Sequence, residues 1–444
     1  MRTVYSLLWY LALPWLPVRL WWRGRREPGY RTAIAERFGH FGDAARPFAV
    51  RPGPVIWVHA VSLGETHAAR PLVERLVARY PQATILLTHM TATGRAAGRT
   101  LAPGRVVQAW LPYDLPRFAT AFLRHFRPAA GIVLETEVWP NLIAAAAAER
   151  IPLYLVNARL SARSARRYHR VFRLAHDAYA GFAGIAAQTA EDAARIEALG
   201  GGTPIVTGSL KFDVVVGAGA LAAGAVLRAR WGATRPVWLA ASTRDGEEER
   251  LLEAWQAECR NALLVLVPRH PQRFDAVAEI LRGRGIAFAR RSHPGPVGAD
   301  VAVVLGDSMG EMPAYCAAAD VVVMGGSFLP LGGQNLIEPL AVGRPTIVGP
   351  HMFNFAAVTA AAVRAGAVLQ VDDAASAIAA VVALLDEADR RTTMADAARA
   401  FHARATGAAD RLWEWLAPRL DAALADDVAA ASTAGAAISP RDAG

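Results

Sequence analysis

Short apolar runs recur along the chain, with amphipathic stretches between them. The runs are continuous and rich in β-branched residues, which is typical of strands buried on both faces of a parallel sheet. They fall at residues 55–61, 83–89, 105–112, 129–135, 152–158, 184–189, 204–209, 236–242, 262–269, 301–307, 320–327 and 345–350. Helical patterns such as residues 68–80 and 247–260 lie between them. This alternation predicts an α/β protein of two doubly wound domains.

A Gly/Ala-rich stretch after Asp213 interrupts the alternation and predicts the domain boundary. We therefore expect a first α/β domain, a linker and a second α/β domain whose last helix is free to pack back on the first. The boundaries predicted for these three parts are 27–215, 216–233 and 234–425. Residues 426–444 are rich in Ala and Ser, and we expect them to form a disordered tail.

The N-terminal segment, residues 1–26, predicts a membrane anchor. Residues 4–22 are almost entirely apolar and long enough to cross a bilayer at about 1.5 Å per residue, although Pro14 and Pro17 would kink a helix. Arginines follow directly and favour a cytoplasmic location for the rest of the chain. A spanning helix and a helix lying in the interface both fit this pattern, and a buried helix is the remaining alternative.

Composition narrows the possible functions. Hydrophobic residues make up 53% of the chain and charged residues 20%, which fits globular domains. The two cysteines, Cys259 and Cys316, exclude a disulfide framework and a Cys-based zinc cluster. A net charge of +9 favours nucleic acid, an anionic membrane or a phosphorylated substrate as partner. Lys211 is the only lysine among 48 basic residues.

Acidic and basic residues follow the strands of the first half, where α/β proteins bind ligands. Glu65 begins a helix after the first strand, either as a complement to the helix dipole or as a general base. Glu135 and Glu137 follow the fourth strand, and their spacing of two residues would place both side chains on the same side of an extended chain. They belong either to a ligand site or to a capped turn. The lone Lys211 predicts a position that needs a compact ammonium, unless it survives by chance.

An arginine stripe predicts phosphate binding in the first half. Its spacing places the guanidinium groups along one helical face, although an Arg-rich surface is the simpler alternative. The stripe consists of Arg159, Arg163, Arg166, Arg170 and Arg173.

The second half predicts a nucleotide site. A Gly-rich loop, residues 325–333, leads into a helix, an arrangement that suits a phosphate group, and Glu338 could accept hydrogen bonds from ribose hydroxyls. The loop matches neither the dinucleotide fingerprint nor the P-loop. Zinc-protease, Cys/His and G-x-S-x-G motifs are absent from the sequence.

The ordered motifs WVHAVSLGE, ETEVWPN, NARLSARS, TGSLKFD, PRHPQRF, GDSMGE and GGSFLPLGGQNLIEP resemble the 3-deoxy-D-manno-octulosonic acid (Kdo) transferases of lipopolysaccharide synthesis. The resemblance extends to about residue 420. It implies a GT-B fold, in which an acceptor-binding and a CMP-Kdo-binding Rossmann-like domain face an interdomain cleft. It also implies inverting transfer of Kdo from CMP-Kdo to an acylated, phosphorylated lipid A precursor at the cytoplasmic face of the inner membrane, without a cofactor or an active-site metal.

The resemblance also assigns roles to residues. It implies that Glu65 is the catalytic base and that Glu135 and Lys211 stabilise the transition state. The residues implied to bind CMP are Arg269, His270, Met309, Gly310, Glu311, Asn335, Leu336, Ile337 and Glu338. The stripe residues Arg159, Arg163, Arg166 and Arg170 would then bind acceptor phosphates. Gln334 stands where the family often has His, so no cationic imidazole is available there.

Two other functions remain open at the level of sequence. A UDP-sugar 2-epimerase, or another two-domain sugar-nucleotide enzyme, would share the predicted fold, because fold does not fix chemistry. A basic lipid-binding or nucleic-acid-binding protein is less favoured, since aromatic residues are not interleaved with the arginine stripe as stacking platforms would require. We therefore expect no nucleic acid partner.

Overall fold

The computed structural model describes residues 1–42, 53–213, 216–258, 262–293 and 295–436, and these residues form two compact units, each with a seven-stranded parallel sheet. The first unit holds the chain up to Asp213 and again from Gly407, and the second unit lies between them in sequence. The Asp213 carboxylate accepts hydrogen bonds from the N–H groups of Gly407, at 2.6 Å, and Ala409. The chain therefore leaves and re-enters the first unit at one fixed point.

The first unit has the strand order β3-β2-β1-β4-β5-β6-β7. Its strands are β1 (Val55–His59), β2 (Thr84–His89), β3 (Val106–Trp110), β4 (Pro128–Leu134), β5 (Leu153–Ala158), β6 (Gly184–Ala187) and β7 (Ile205–Val206). Its helices are α1 (Arg2–Ala12), α2 (Trp15–Arg26), α3 (Leu63–Arg79), α4 (Ala92–Gly98), α5 (Pro116–Phe126), α6 (Pro140–Ala148), α7 (Ala162–His169), α8 (Phe172–Ala180), α9 (Ala190–Glu197) and α18 (Ala408–Ala436). The strand order reverses between β1 and β4, which is where doubly wound sheets bind ligands.

Alternating side chains of the buried strands supply two hydrophobic cores on the two faces of this sheet. Trp57 and Leu86 belong to one core, and Ile56 and Leu87 belong to the other. Helix α18 contributes Leu412, Leu416 and Leu420 to the second core. This four-residue spacing places one helical face on the sheet and explains why the chain returns to the first unit.

The second unit repeats the architecture with the order β10-β11-β9-β8-β12-β13-β14. Its strands are β8 (Val237–Thr243), β9 (Leu263–Pro268), β10 (Phe288–Arg290), β11 (Val303–Leu305), β12 (Val321–Met324), β13 (Thr346–Val348) and β14 (Val368–Gln370). Its helices are α10 (Ala218–Trp231), α11 (Glu247–Glu258), α12 (Phe274–Gly283), α13 (Met312–Ala318), α14 (Ile337–Ala341), α15 (Ala356–Arg364), α16 (Ala374–Asp386) and α17 (Ala388–Ala405). The order reverses between β8 and β12, and the Gly-rich loop follows β12.

The predicted linker and tail differ from the structure. Residues 216–233 contain helix α10 instead of a linker, because alanine outweighs glycine in this stretch and favours a helix. Leu227 and Trp231 of this helix are buried in the second unit. The second unit ends at Thr406 rather than at residue 425. Helix α18 continues through the predicted start of the tail to Ala436, and the residues beyond it lie outside the described part of the chain.

The N-terminal segment forms two helices instead of one. Helix α1 ends at Ala12, and α2 begins after Pro14, which lacks the N–H group that a continuous helix needs. Within the described residues, every helix is too short or too polar to cross a membrane.

Candidate active site

Glu65 lies in the first turn of α3, directly after β1 at the point where the strand order reverses. Ser62 caps this helix, and its hydroxyl oxygen accepts a hydrogen bond from the Glu65 N–H group at 3.4 Å. The Glu65 carboxylate in turn accepts hydrogen bonds from the Val61 N–H group at 2.8 Å and from the Ser62 hydroxyl at 3.0 Å. This reciprocal cap, encoded by Ser-Leu-Gly-Glu, holds the carboxylate beside the end of the strand.

The environment of Glu65 raises the affinity of its carboxylate for protons. Burial raises the pKa to about 7, and the negative charges of Glu135 and Glu137 act in the same direction. The hydrogen bonds from Val61 and Ser62 oppose this shift, but they do not overcome it. A carboxylate with a pKa near neutrality accepts a proton more readily than an ordinary glutamate does.

Glu135 and Lys211 form an ion pair in the same unit. The Lys211 Nζ atom lies 2.9 Å from Oε1 of Glu135, whose side chain is 11% exposed, whereas that of Lys211 is 34% exposed. Glu135 follows β4 with a φ of +58°, a conformation uncommon for residues other than glycine and found at functional sites. The structure therefore brings Glu65, Glu135 and Lys211 to one edge of the first sheet, as the sequence predicts.

Two further polar residues of this site were not predicted. Asn157, fully buried near the end of β5, donates from Nδ2 to Glu135 at 3.4 Å. His59 is also fully buried; its Nδ1 atom lies 2.8 Å from Thr88 Oγ1, and its Nε2 atom lies 3.9 Å from Glu137. Both occur inside apolar strand patterns, where a polar residue in the run is the signal that could have identified them.

The predicted nucleotide residues of the second unit include one connected group. Asn335 donates from Nδ2 to Glu338 at 3.4 Å and accepts from the Ile337 N–H group at 3.1 Å. Burial raises the pKa of Glu338, while Asn335 and the positive charge of Arg269 lower it. The PRH and N-x-x-E motifs therefore interact electrostatically.

A buried carboxylate that was not predicted fixes the Gly-rich loop. Glu247 is fully buried at the start of α11 and accepts hydrogen bonds from the N–H groups of Gly326 at 2.6 Å and Phe328 at 2.9 Å. Gly333 has a φ of +77°, and a Cβ atom there would lie 2.2 Å from the Met352 sulfur. The loop conformation is therefore set by Glu247 and by a position that requires glycine.

The other predicted nucleotide residues differ in exposure. His270 is largely exposed, and partial desolvation of its ring together with the positive charges of Arg244 and Arg269 lowers its pKa. Met309 is 55% exposed, Gly310 has a φ of +81°, and Glu311 pairs with Arg291 at 2.8 Å.

The packing of Leu336 and Ile337 limits how these two residues could contact CMP. Their side chains are buried, with Leu336 in the hydrophobic core of the second unit. Any contact of these two residues with a ligand would therefore use their backbone.

The arginine stripe is not the single helical face that its spacing predicts. Helix α7 ends at His169, Arg170 lies in the following turn and Arg173 lies on α8. Like charges four residues apart do not support one continuous helix. Arg163, Arg166 and Arg170 are exposed, while Arg159 is partly buried before α7.

Comparison with known proteins identifies the family. The 3-deoxy-D-manno-octulosonic-acid transferase (kdotransferase) family matches residues 32–214. A 3-deoxy-D-manno-octulosonic acid transferase of Bordetella pertussis is 47% identical over 436 residues, which cover 94% of this chain and 99% of that protein. This chain belongs to the Kdo transferase family. The Kdo transferase of Haemophilus influenzae is 37% identical over 426 residues, which cover 95% of this chain and 99% of that protein.

Structural similarity extends the fold assignment beyond this family. The crystal structure of Anabaena HepE in complex with UDP aligns with a TM-score of 0.54 at 13% sequence identity, covering 83% of this chain and 100% of that one. The two parallel sheets and this similarity assign the GT-B fold. As a Kdo transferase, the chain is a glycosyltransferase, and the family assignment replaces the epimerase alternative, which the fold alone could not exclude.

Proposed function

We propose that this Kdo transferase moves Kdo from CMP-Kdo to a glucosamine hydroxyl of an acylated, phosphorylated lipid A precursor, with inversion at the anomeric carbon. The observation that carries this proposal is the partly buried Glu65, whose pKa of about 7 suits a base and whose neighbours include the Glu135–Lys211 pair. The reaction would take place at the cytoplasmic face of the inner membrane, as a step of lipopolysaccharide synthesis.

The proposed reaction is one displacement. The acceptor hydroxyl oxygen forms a bond to the anomeric carbon of Kdo, while the bond from that carbon to the phosphate oxygen of CMP breaks. The hydroxyl proton passes to the Glu65 carboxylate, and CMP leaves with the bonding electron pair. A single displacement assisted by one base inverts the configuration.

The proposed role of Lys211 is electrostatic. Negative charge moves onto the departing phosphate as the bond breaks, and a cation held at that position stabilises the change. Glu135 orients the ammonium group at 2.9 Å. Arg269, His270, Met309, Gly310, Glu311, Asn335 and Glu338 would bind the CMP part of the donor. This assignment uses side chains for charge stabilisation and requires no cofactor or metal.

The proposal is tested by incubating the full chain with CMP-Kdo and a tetraacylated lipid A precursor in buffer containing EDTA. Mass spectrometry would show an acceptor heavier by one or more Kdo residues. A matched reaction with UDP-N-acetylglucosamine tests the epimerase alternative. Unchanged acceptor with CMP-Kdo, or epimerisation of the UDP-sugar, would refute the proposal.

We expect the exposed arginines of α7 to bind acceptor phosphates. The double substitution Arg163→Glu/Arg166→Glu should raise the KM for the acceptor about tenfold, because two surface contacts of about 0.5–1 kcal/mol each are lost. CMP affinity, measured by calorimetry, should not change. The control is Arg364→Glu/Arg404→Glu, which changes the net charge by the same amount at exposed positions of the second unit. An equal rise in KM in both double variants would show a general charge effect instead.

We expect the two N-terminal helices to bind the membrane surface. Leu11 on α1 and Trp15 on α2 are 74% and 72% exposed, and Arg25 and Arg26 lie in the last turn of α2. Such a combination is typical of interfacial helices. Leu11→Glu/Trp15→Glu should reduce co-sedimentation with phosphatidylglycerol-containing vesicles by about tenfold or more, because each apolar side chain contributes about 1.5–3 kcal/mol when buried.

The control for membrane binding is Leu221→Glu/Val226→Glu, which replaces exposed apolar residues of α10 in the second unit. This variant should sediment with vesicles as the wild type does. Undiminished binding of the Leu11/Trp15 variant would exclude the N-terminal helices as the membrane contact.

A further inference from the structure

Asn157 occupies an unusual position in the first sheet. It lies in β5, is fully buried and has a φ of +52°. The pairing of β5 with β6 shifts register between Leu155 and Ala158. Leu155 and Ala158 consequently belong to the same hydrophobic core although they are three residues apart. An irregularity of this kind turns a side chain away from both faces of a sheet, and asparagine adopts positive φ more readily than most residues.

The turned side chain connects the two members of the ion pair. Its Nδ2 atom donates to Oε1 of Glu135 at 3.4 Å, the same oxygen that lies 2.9 Å from Lys211 Nζ. Its Oδ1 atom accepts from the Leu210 N–H group at 3.1 Å. Leu210 begins the short 3-10 helix Leu210–Phe212 that carries Lys211. One amide therefore binds the carboxylate of one partner and the backbone that carries the other.

The orientation of this amide is determined by its partners. A carboxylate oxygen requires a donor, and a backbone N–H group requires an acceptor, so the nitrogen faces Glu135 and the oxygen faces Leu210. The backbone oxygen of Asn157 also accepts from Gln188 Nε2 at 3.0 Å, which holds the strand at this point. A fully buried polar side chain is costly unless each group is bonded, and this one has a partner on each side.

We propose that Asn157 is a positioning residue that sets the location of the Lys211 ammonium relative to Glu135. The catalytic consequence of this role rests on the proposed function, whereas the effect of Asn157 on the position of Lys211 does not. Asn157 does not touch the reacting atoms. It holds the end of β4 and the turn after β7 in a fixed position relative to each other, so that the ammonium group remains where it can stabilise the departing phosphate.

Two substitutions separate this role from general stability. Asn157→Asp retains an acceptor for the Leu210 N–H group but places a carboxylate oxygen against Glu135. Asn157→Gly removes the side chain and relieves the strain of the positive φ, so the fold is expected to be retained. The control is Asn141→Asp, because Asn141 is another buried amide of the same unit, and it bonds to Ser6 and Asp114.

The first measurement does not depend on activity. Because the chain contains a single lysine, lysine labelled with ¹³C at the ε carbon gives one NMR signal, which reports on Lys211. We expect the chemical shift of this signal to change in Asn157→Asp, where a second carboxylate lies beside the pair. In Asn157→Gly the signal should also become narrower, since an ammonium group whose supporting turn has lost its anchor is more mobile. The signal in Asn141→Asp should match the wild type. A wild-type signal in both Asn157 variants would overturn the proposal, whether or not the chain transfers Kdo.

The second measurement is the rate of transfer. Both Asn157 variants should lose about 10- to 100-fold in kcat, because a displacement of about 1 Å at a catalytic group is sufficient for such a loss. The KM for CMP-Kdo should change less than about twofold, and Asn141→Asp should retain its kcat. A wild-type kcat in Asn157→Asp would contradict the positioning role. Failure of the wild type to transfer Kdo would instead refute the proposed function.

Discussion

Glu65→Gln is expected to lower kcat for Kdo transfer by about 10²–10⁴-fold, the usual contribution of a general base. Glutamine can still accept the hydrogen bond from the Val61 N–H group and can donate to Ser62, so the cap of α3 should persist. What it loses is the ability to take a proton at neutral pH. Thermal unfolding and CMP affinity should therefore remain close to those of the wild type.

The pH dependence provides a second signature of the same residue. Burial raises the pKa of Glu65 to about 7, and only the deprotonated carboxylate can act as the base. The wild-type kcat/KM should therefore rise with pH up to about 7 and then level off. This limb should be absent from the residual activity of Glu65→Gln.

The matched control is Glu74→Gln, which changes an exposed glutamate on the same helix. It should retain full activity and the full pH profile. Near-normal transfer by a folded Glu65→Gln protein, or an unchanged acidic limb in that variant, would exclude Glu65 as the base.

The strands were predictable where burial on both faces leaves an apolar run. Each of the twelve runs identified in the sequence overlaps a strand. The two strands that were not predicted, β10 and β14, are three-residue strands at the edges of the second sheet. β10 is only partly buried and includes Arg290, and β14 ends at the exposed Gln370, so neither presents an apolar run to a pattern search.

The residues of the candidate site were predictable only where a charged residue directly follows a strand, the position at which α/β proteins bind ligands. Glu65 and Glu135 follow strands, and parallel sheets place such residues at one edge. Asn157 and Glu247 act through long-range contacts, to Leu210 and to Gly326, that no local pattern encodes. The resemblance to the family identified Leu336 by its place in a motif, whereas packing places its side chain in the core.

The second large effect is expected at the single lysine. Lys211→Ala should lower kcat by about 10²–10³-fold, the range observed when one group that stabilises transition-state charge is removed. Lys211→Arg is the sharper substitution, because it keeps the positive charge and changes only the size and shape of the cation. We expect it to lose most of the activity as well, about 10-fold or more, since a planar guanidinium on a longer side chain cannot occupy the place of a compact ammonium 2.9 Å from Glu135.

The comparison between these two variants tests why one lysine remains among 47 arginines. Both variants should bind CMP normally by calorimetry, because the residues proposed to bind CMP belong to the second unit. The Glu65-dependent acidic limb should persist in their residual activity, which would separate loss of charge stabilisation from loss of the base. Full activity of Lys211→Arg would show that charge alone suffices at this position. The absence of arginine there would then carry no functional meaning, and the catalytic role of the site would rest on Glu65 and Glu135.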